Sequence, residues 1–331
     1  MHPGGAPAPG REAAIDFAKA AAIVAVVFTH ARREFLPGVG SWDFWLCASW
    51  TYFQVPAFLF ASGFLACRGA PLAAGWVGRR FARVLVPYLV ASGVAYAVRV
   101  AHAPSLGALA FQLATGSALG IYYYVVLILC ISPLAFPLSR MSRSAVALGL
   151  VACAGATLAI ALAPGARPFD AWFWSLRNPL DHFSLGFFLA GWLVRLEQPR
   201  LARAWRRAHG PLSAAIAAGL AVGVAAVAGS FPSSLDVPLR VVYTFAALGL
   251  VAAATRGRTP GATVRLLSDA SLAIYLYHRI FQRLLEARVA AWPEPAGTLT
   301  LVAAGLGGAS LLALAARRAL GPPRARRWLG A

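Results

Sequence analysis

The sequence predicts an all-α, polytopic membrane helix bundle, and three observations carry that reading. The 331 residues are 60% apolar and only 12% charged, against about 25% charged in soluble domains. Mean hydropathy is +0.67, more apolar surface than a soluble chain of this length can bury. The apolar residues also fall into runs of the length a bilayer requires, about 20 residues each.

About ten such spans can be laid out by that criterion, at 14–31, 44–66, 84–101, 119–138, 145–162, 180–196, 211–229, 238–255, 267–287 and 298–316. The fourth is the least clean. Before it, Gly107 to Gly120 reads as a re-entrant or interfacial segment. The connection over 163–179 is rich in Trp and Phe, which suit the membrane–water interface.

Net charge is +19. In a soluble protein that excess would raise nucleic-acid binding. Here the arginines cluster between the apolar runs, so no nucleic-acid partner is expected and membrane lipid is. With the N-terminus in the cytoplasm, most arginines, including Arg79, Arg80, Arg83 and Arg140, fall on the cytoplasmic side, and a minority, including Arg99 and Arg167, on the other. That bias supports an even span number and both termini inside. Residues 1–13 then form a mobile Pro/Gly/Ala-rich tail, 14–317 the transmembrane domain, and 318–331 a basic cytoplasmic tail. The tail has no compact signal-peptide pattern, so the first span acts as an uncleaved anchor. The four cysteines form no CxxC pair or Cys/His metal spacing, so neither a disulfide framework nor a metal site is expected.

The first span, IDFAKAAAIVAVVFTH, carries Asp16, Lys19 and His30. Ionisable groups inside a membrane segment are costly and mark function. Lys19 is the only lysine in the chain. Eleven residues on, His30 lies on the same face, about 16 Å along the axis. Asp16 can pair with Lys19 at i+3; Lys19 can instead snorkel to the cytoplasmic surface. His30 can exchange a proton near neutral pH, and Glu34, four residues on, can orient it.

In the second span, Pro56 breaks or kinks the helix. Gln54 beside it can bond a freed carbonyl or a substrate, and Ser62 and Gly63 permit close helix approach. Arg79, Arg80 and Arg83 form RRxxR at the inner end of the third. They can hold phosphates by bidentate bonds or simply anchor topology. Asp181 and His182 open the sixth span, at the end where they can approach His30 or be solvated. In the ninth, Ser268 or Asp269 can cap the helix start. Ser271, Tyr275 and His278 share one stripe, and Arg279 lies deep enough to need a partner.

In this order the segments resemble the acyltransferase 3 family of polytopic membrane acyltransferases. The first span resembles that family's motif of a basic residue, ten intervening residues and a histidine. PAFLFASGFL resembles its F-x-x-S-G-F pattern, RRFARVLVPY its RRxxR–Pro-Tyr segment, and Tyr122 to Leu129 its aromatic-rich helix start. FSLGFFLAGWL resembles its F-x-x-G helix and SLAIYLYH its S-x-x-I-Y-L-x-H motif. The match runs from about Ile15 to Ala316. Many members have Arg where this chain has Lys19, and lysine there is similar to the branch of fucose 4-O-acetylases. The SGNH-type esterase domain that some members use to complete transfer is not seen.

The resemblance implies a multi-pass enzyme of the inner (plasma) membrane. It implies transfer of an acyl group from cytoplasmic acyl-CoA, often acetyl-CoA, to a hydroxyl of a sugar or other envelope or secreted acceptor, with no tightly bound cofactor. On that implication His30, His278 and Tyr275 are catalytic candidates, and Lys19, Arg79, Arg80 and Arg83 hold the donor. Asp16, Glu34, Asp181, His182 and Ser271 are orienting candidates. A transporter or flippase of a lipid-linked glycan is the alternative, since midplane charges and a Pro-broken helix also fit it.

Overall fold

A computed structural model describes residues 12–32, 44–103, 105–162, 183–227 and 236–331. Glu34, Asp181, His182 and the connection over 163–179 lie outside the described residues, as do residues 1–11. The described residues contain helices and no strand. A bilayer offers the backbone no hydrogen bonds, so a spanning segment must satisfy its own, and a helix does.

The chain opens with α1 (Ala13–Arg32), α2 (Phe44–Ala66) and α3 (Gly75–Ala97). The short α4 (Leu106–Thr115) and α5 (Tyr123–Ile131) follow. A 3₁₀ turn, Ser132–Leu134, links α5 to α6 (Ala135–Leu138). Next come α7 (Arg143–Leu162), α8 (Ser184–Arg207), α9 (His209–Val227) and α10 (Asp236–Ala254). The last four are α11 (Ala262–Asp269), α12 (Ser271–Val289), α13 (Glu294–Leu320) and α14 (Pro322–Leu329).

Among the described residues, four helical stretches are long and apolar enough to cross a membrane: Ala13–Ala31, Arg143–Leu162, Val237–Ala254 and Pro295–Leu320. Three of the other expected spans differ for identifiable reasons. α3 starts nine residues earlier than its apolar run and so includes Arg79, Arg80 and Arg83. The fourth expected span is broken where Pro133 and Pro137 interrupt its hydrogen-bond ladder. The ninth is two helices, α11 and α12, joined at Ala270. Pro56, by contrast, does not break α2, which runs through it.

α4 ends at Gly116 in the left-handed region and buries none of its residues; Leu106 is 84% exposed. That suits an interfacial segment. Apolar side chains also face outward on the spanning helices, as with Leu148 (70% exposed) on α7 and Leu311 (67%) on α13. Lipid is the solvent that accepts such a surface.

Inside the bundle, lipid tails are as apolar as leucine, so helix association depends on close packing rather than on escape from water. α2 and α8 form the most extensive seam. Gly63 of α2 lies against the backbone carbonyl of Phe188, and Gly191 of α8 against that of Phe60. A Cβ at either position would fall inside the facing carbonyl. α13 presents glycines to its neighbours in the same way: a Cβ on Gly308 would come within 2.7 Å of the Phe281 ring.

Residues beyond 317 do not hang free. α13 continues to Leu320, and α14 then packs on α3 and α13, burying Ala325.

Gly191→Ala should lower the thermal unfolding midpoint of the detergent-purified protein, because the α2–α8 overlap costs about 1–3 kcal/mol. Gly78→Ala, with open space where its Cβ would go, should leave the midpoint unchanged or slightly raised. Equal effects would show that the seam has room to spare.

Candidate active site

Polar side chains join α1 to the α11–α12 pair at successive levels. Near the start of α1, the Ser268 hydroxyl donates to Asp16 Oδ1 at 2.6 Å, with both residues buried. One helix further along, Gln282 Nε2 donates to the Val27 carbonyl at 2.9 Å. Nearby, the Arg279 guanidinium reaches the His30 carbonyl at 3.4 Å. The two α12 contacts are crossed along α1, Gln282 at Val27 and Arg279 at His30, while Ser268 of α11 meets the start of α1. Ser268 is committed to Asp16 and caps nothing: the N-cap of α12 is Ala270, with no side-chain cap bond.

At the Asp16 end lies a cavity of about 340 Å³, whose wall includes Lys19, Arg80, Arg83, Tyr124, Ser271 and Tyr275. Lys19 thus faces the bundle. Arg80 and Arg83, three residues apart, share the face of α3 turned to the cavity. Arg80 Nη2 reaches the Ser62 hydroxyl at 3.4 Å, and its Nε is buried with no hydrogen-bond partner among the described residues. Arg79 is exposed, and its guanidinium folds back over Gly75 rather than into the cavity. Cations from two helices converging on one partly closed space create a field for an anion.

Aromatic rings lead inward from that cavity. Tyr122 donates to the Leu276 carbonyl at 2.8 Å, and the Tyr275 hydroxyl donates to the Ile121 carbonyl. These bonds fasten the start of α5 to the second turn of α12. Tyr124 meets Tyr275 edge-on, with ring centroids 5.3 Å apart. The Tyr275 and His278 centroids are 6.2 Å apart, and those of His278 and His30 5.5 Å. The structure therefore brings Lys19, Arg80, Arg83, Ser271, Tyr275, His278 and His30 along one continuous line.

His278 is fully buried. Its Nδ1 lies 3.0 Å from the Ile274 carbonyl and 2.9 Å from that of Tyr275. Carbonyl oxygens only accept, so Nδ1 carries the hydrogen, and in the neutral ring Nε2 then keeps its lone pair. Nε2 is buried and makes no hydrogen bond among the described residues. This imidazole can accept a proton or a hydroxyl hydrogen, but it has no N–H to offer an acyl oxygen. Arg279 beside it is paired with Glu286 at 2.5 Å, and Glu286 is shared with Arg283 at 2.8 Å.

A family model described as an acyltransferase domain matches residues 12–317. The chain belongs to the acyltransferase 3 family. It is therefore a membrane-type acyltransferase, and with several apolar helices a multi-pass one. No curated protein and no solved structure matches the chain.

Several residues on the acyltransferase's line were not singled out from the sequence. Gln282 looked like one polar residue near the end of an apolar run. Tyr124 was one of three consecutive tyrosines, and only the helix register decides which of them faces the cavity. Ser62, small enough for close helix packing, also contacts Arg80. The tyrosine run itself is the one signal that pointed to this part of the wall.

¹⁵N NMR of histidine-labelled protein should report His278 as the neutral tautomer with Nδ1 protonated and Nε2 bare. A bare Nδ1 would refute the donor assignment drawn from the two carbonyls.

Proposed function

We propose that this membrane acyltransferase moves an acyl group, acetyl in the simplest case, from cytoplasmic acyl-CoA to a hydroxyl of a sugar or related envelope or secreted acceptor. The observation that carries this reading is the joining of a cation-lined cavity to a histidine pair by a continuous line of rings. The cavity suits the phosphates of a CoA donor, and the histidines suit the activation of a hydroxyl.

In this reading both termini are cytoplasmic and the protein resides in the inner (plasma) membrane, which the arginine distribution supports. Lys19, Arg80 and Arg83 hold the donor phosphates at the cytoplasmic end. The pantetheine arm extends past Tyr124 and Tyr275 toward the histidines. His30 takes the proton of the acceptor hydroxyl as its oxygen attacks the thioester carbonyl carbon. The C–S bond then breaks, and the sulfur leaves with that proton, giving an ester and free CoA. His278, with its N–H held by the helix, accepts a hydrogen bond from the acceptor and positions it. Tyr275 shapes the passage, since its own hydroxyl hydrogen is committed to Ile121.

His30→Ala should reduce acyl transfer by about 10²–10⁴-fold, the usual contribution of a positioned base. Mass spectrometry of envelope and secreted glycans from wild-type and variant strains reads this as a lost mass of one acyl group. Unchanged acylation would remove His30 from the base role. In direct donor-binding measurements, Arg80→Gln and Arg83→Gln should each weaken acetyl-CoA binding about tenfold, the loss expected for one charge-assisted bond. Arg79→Gln should change it less than twofold. Equal losses from all three would mean that the RRxxR motif acts through net charge rather than through the cavity wall.

A further inference from the structure

The cation cavity has one more wall, and it comes from outside the family match. The match ends at residue 317, whereas α14 spans Pro322–Leu329. This helix carries Arg324, Arg326 and Arg327, a pattern that alone reads as a solvated basic tail. Its packing is more specific. Ala325 is fully buried, and α14 lies along α3, the helix that carries Arg80 and Arg83.

Gly330, just past the helix, takes a left-handed φ of +74° and approaches the start of α12, where a Cβ would come within 3.0 Å of the Leu272 side chain. One turn before Gly330, Arg326 lines the same cavity as Lys19, Arg80 and Arg83. Arg327 instead lies over the Trp328 ring at 5.6 Å and does not line it. The cavity thus draws cations from three helices, α1, α3 and α14, and among the described residues its one acidic lining residue is Asp269. That excess exceeds the need of a single carboxylate and fits a ligand with several phosphates.

Building on the donor reading above, we propose that Arg326 is a donor-binding residue. The segment 322–331 completes a four-cation site for the phosphates of the acyl donor, with Lys19, Arg80 and Arg83 as its other members. The close approach of Gly330 to Leu272 keeps α14 in register, so that Arg326 rather than Arg327 faces the ligand.

The test is binding of radiolabelled acetyl-CoA to the purified full chain in lipid nanodiscs, measured over a range of salt concentrations. Arg326→Gln should weaken binding about tenfold and flatten its salt dependence, because one ion contact fewer is screened. Arg326→Lys should recover part of the affinity, and Arg327→Gln should match wild type. A wild type that binds acetyl-CoA, with Arg326→Gln equal to it in affinity and salt slope, overturns this inference and leaves the donor reading standing. An affinity loss that Lys does not rescue, with an unchanged salt slope, assigns Arg326 to packing and also overturns it. A wild type that binds no acetyl-CoA overturns the donor reading and this inference together.

Discussion

The hydrogen bonds between α1 and the α11–α12 pair are the constraint on which the rest of the site depends. In a bundle surrounded by apolar surface, packing alone leaves helices able to slide or rotate past one another. A side-chain amide bonded to a backbone carbonyl has one register, as does a hydroxyl on a buried carboxylate. Asp16–Ser268 and Gln282–Val27 hold the two helices at both ends of the shared stretch. Once they are held, Lys19 has to open onto the cavity and His30 has to meet His278. Leaving such groups unmade in a dry interior costs about 1–3 kcal/mol each, which makes slippage expensive.

Close glycine contacts do complementary work elsewhere. The α2–α8 seam brings backbones to a distance that no side chain permits, so Ser62 and Phe58 sit where the cavity needs a wall. α3 is positioned from both sides. Tyr122 packs edge-on against Tyr88 with centroids 5.4 Å apart, and α14 lies along the helix. Polar bonds therefore set the axial register of the bundle, and small residues set its spacing.

Much of this was legible in the sequence, and the limits have physical causes. Composition fixes the solvent, and ionisable residues in apolar runs mark Lys19, His30 and His278 without further information. Periodicity places Ser271, Tyr275 and His278 on one stripe, as found. It cannot say which face of α3 meets the bundle, because RRxxR offers two pairings, Arg79 with Arg83 or Arg80 with Arg83. Packing against α14 and α5 selects the second. Nor does hydropathy register Pro133, Pro137 or the junction at Ala270, since an interrupted helix is as apolar as a whole one. The segment after residue 317 misleads for a related reason: its charge dominates its composition, while Ala325 and Gly330, which dock it, carry no such signal.

On the proposed chemistry, the fixed spacing along α1 has a consequence for which activated acyl groups would suit the site. Lys19 and His30 are separated by three rigid turns, about 16 Å, and α1 cannot shorten that interval without losing its bonds to α11 and α12. On the proposed chemistry, a donor anchored by its negative charge must carry its carbonyl at the end of a long neutral arm. An acyl phosphate has its charge next to its carbonyl, so it would dock among the arginines with its reactive carbon stranded far from any base. On that proposed chemistry the helix geometry would act as a length filter against short, highly reactive metabolites that the same cations would otherwise attract.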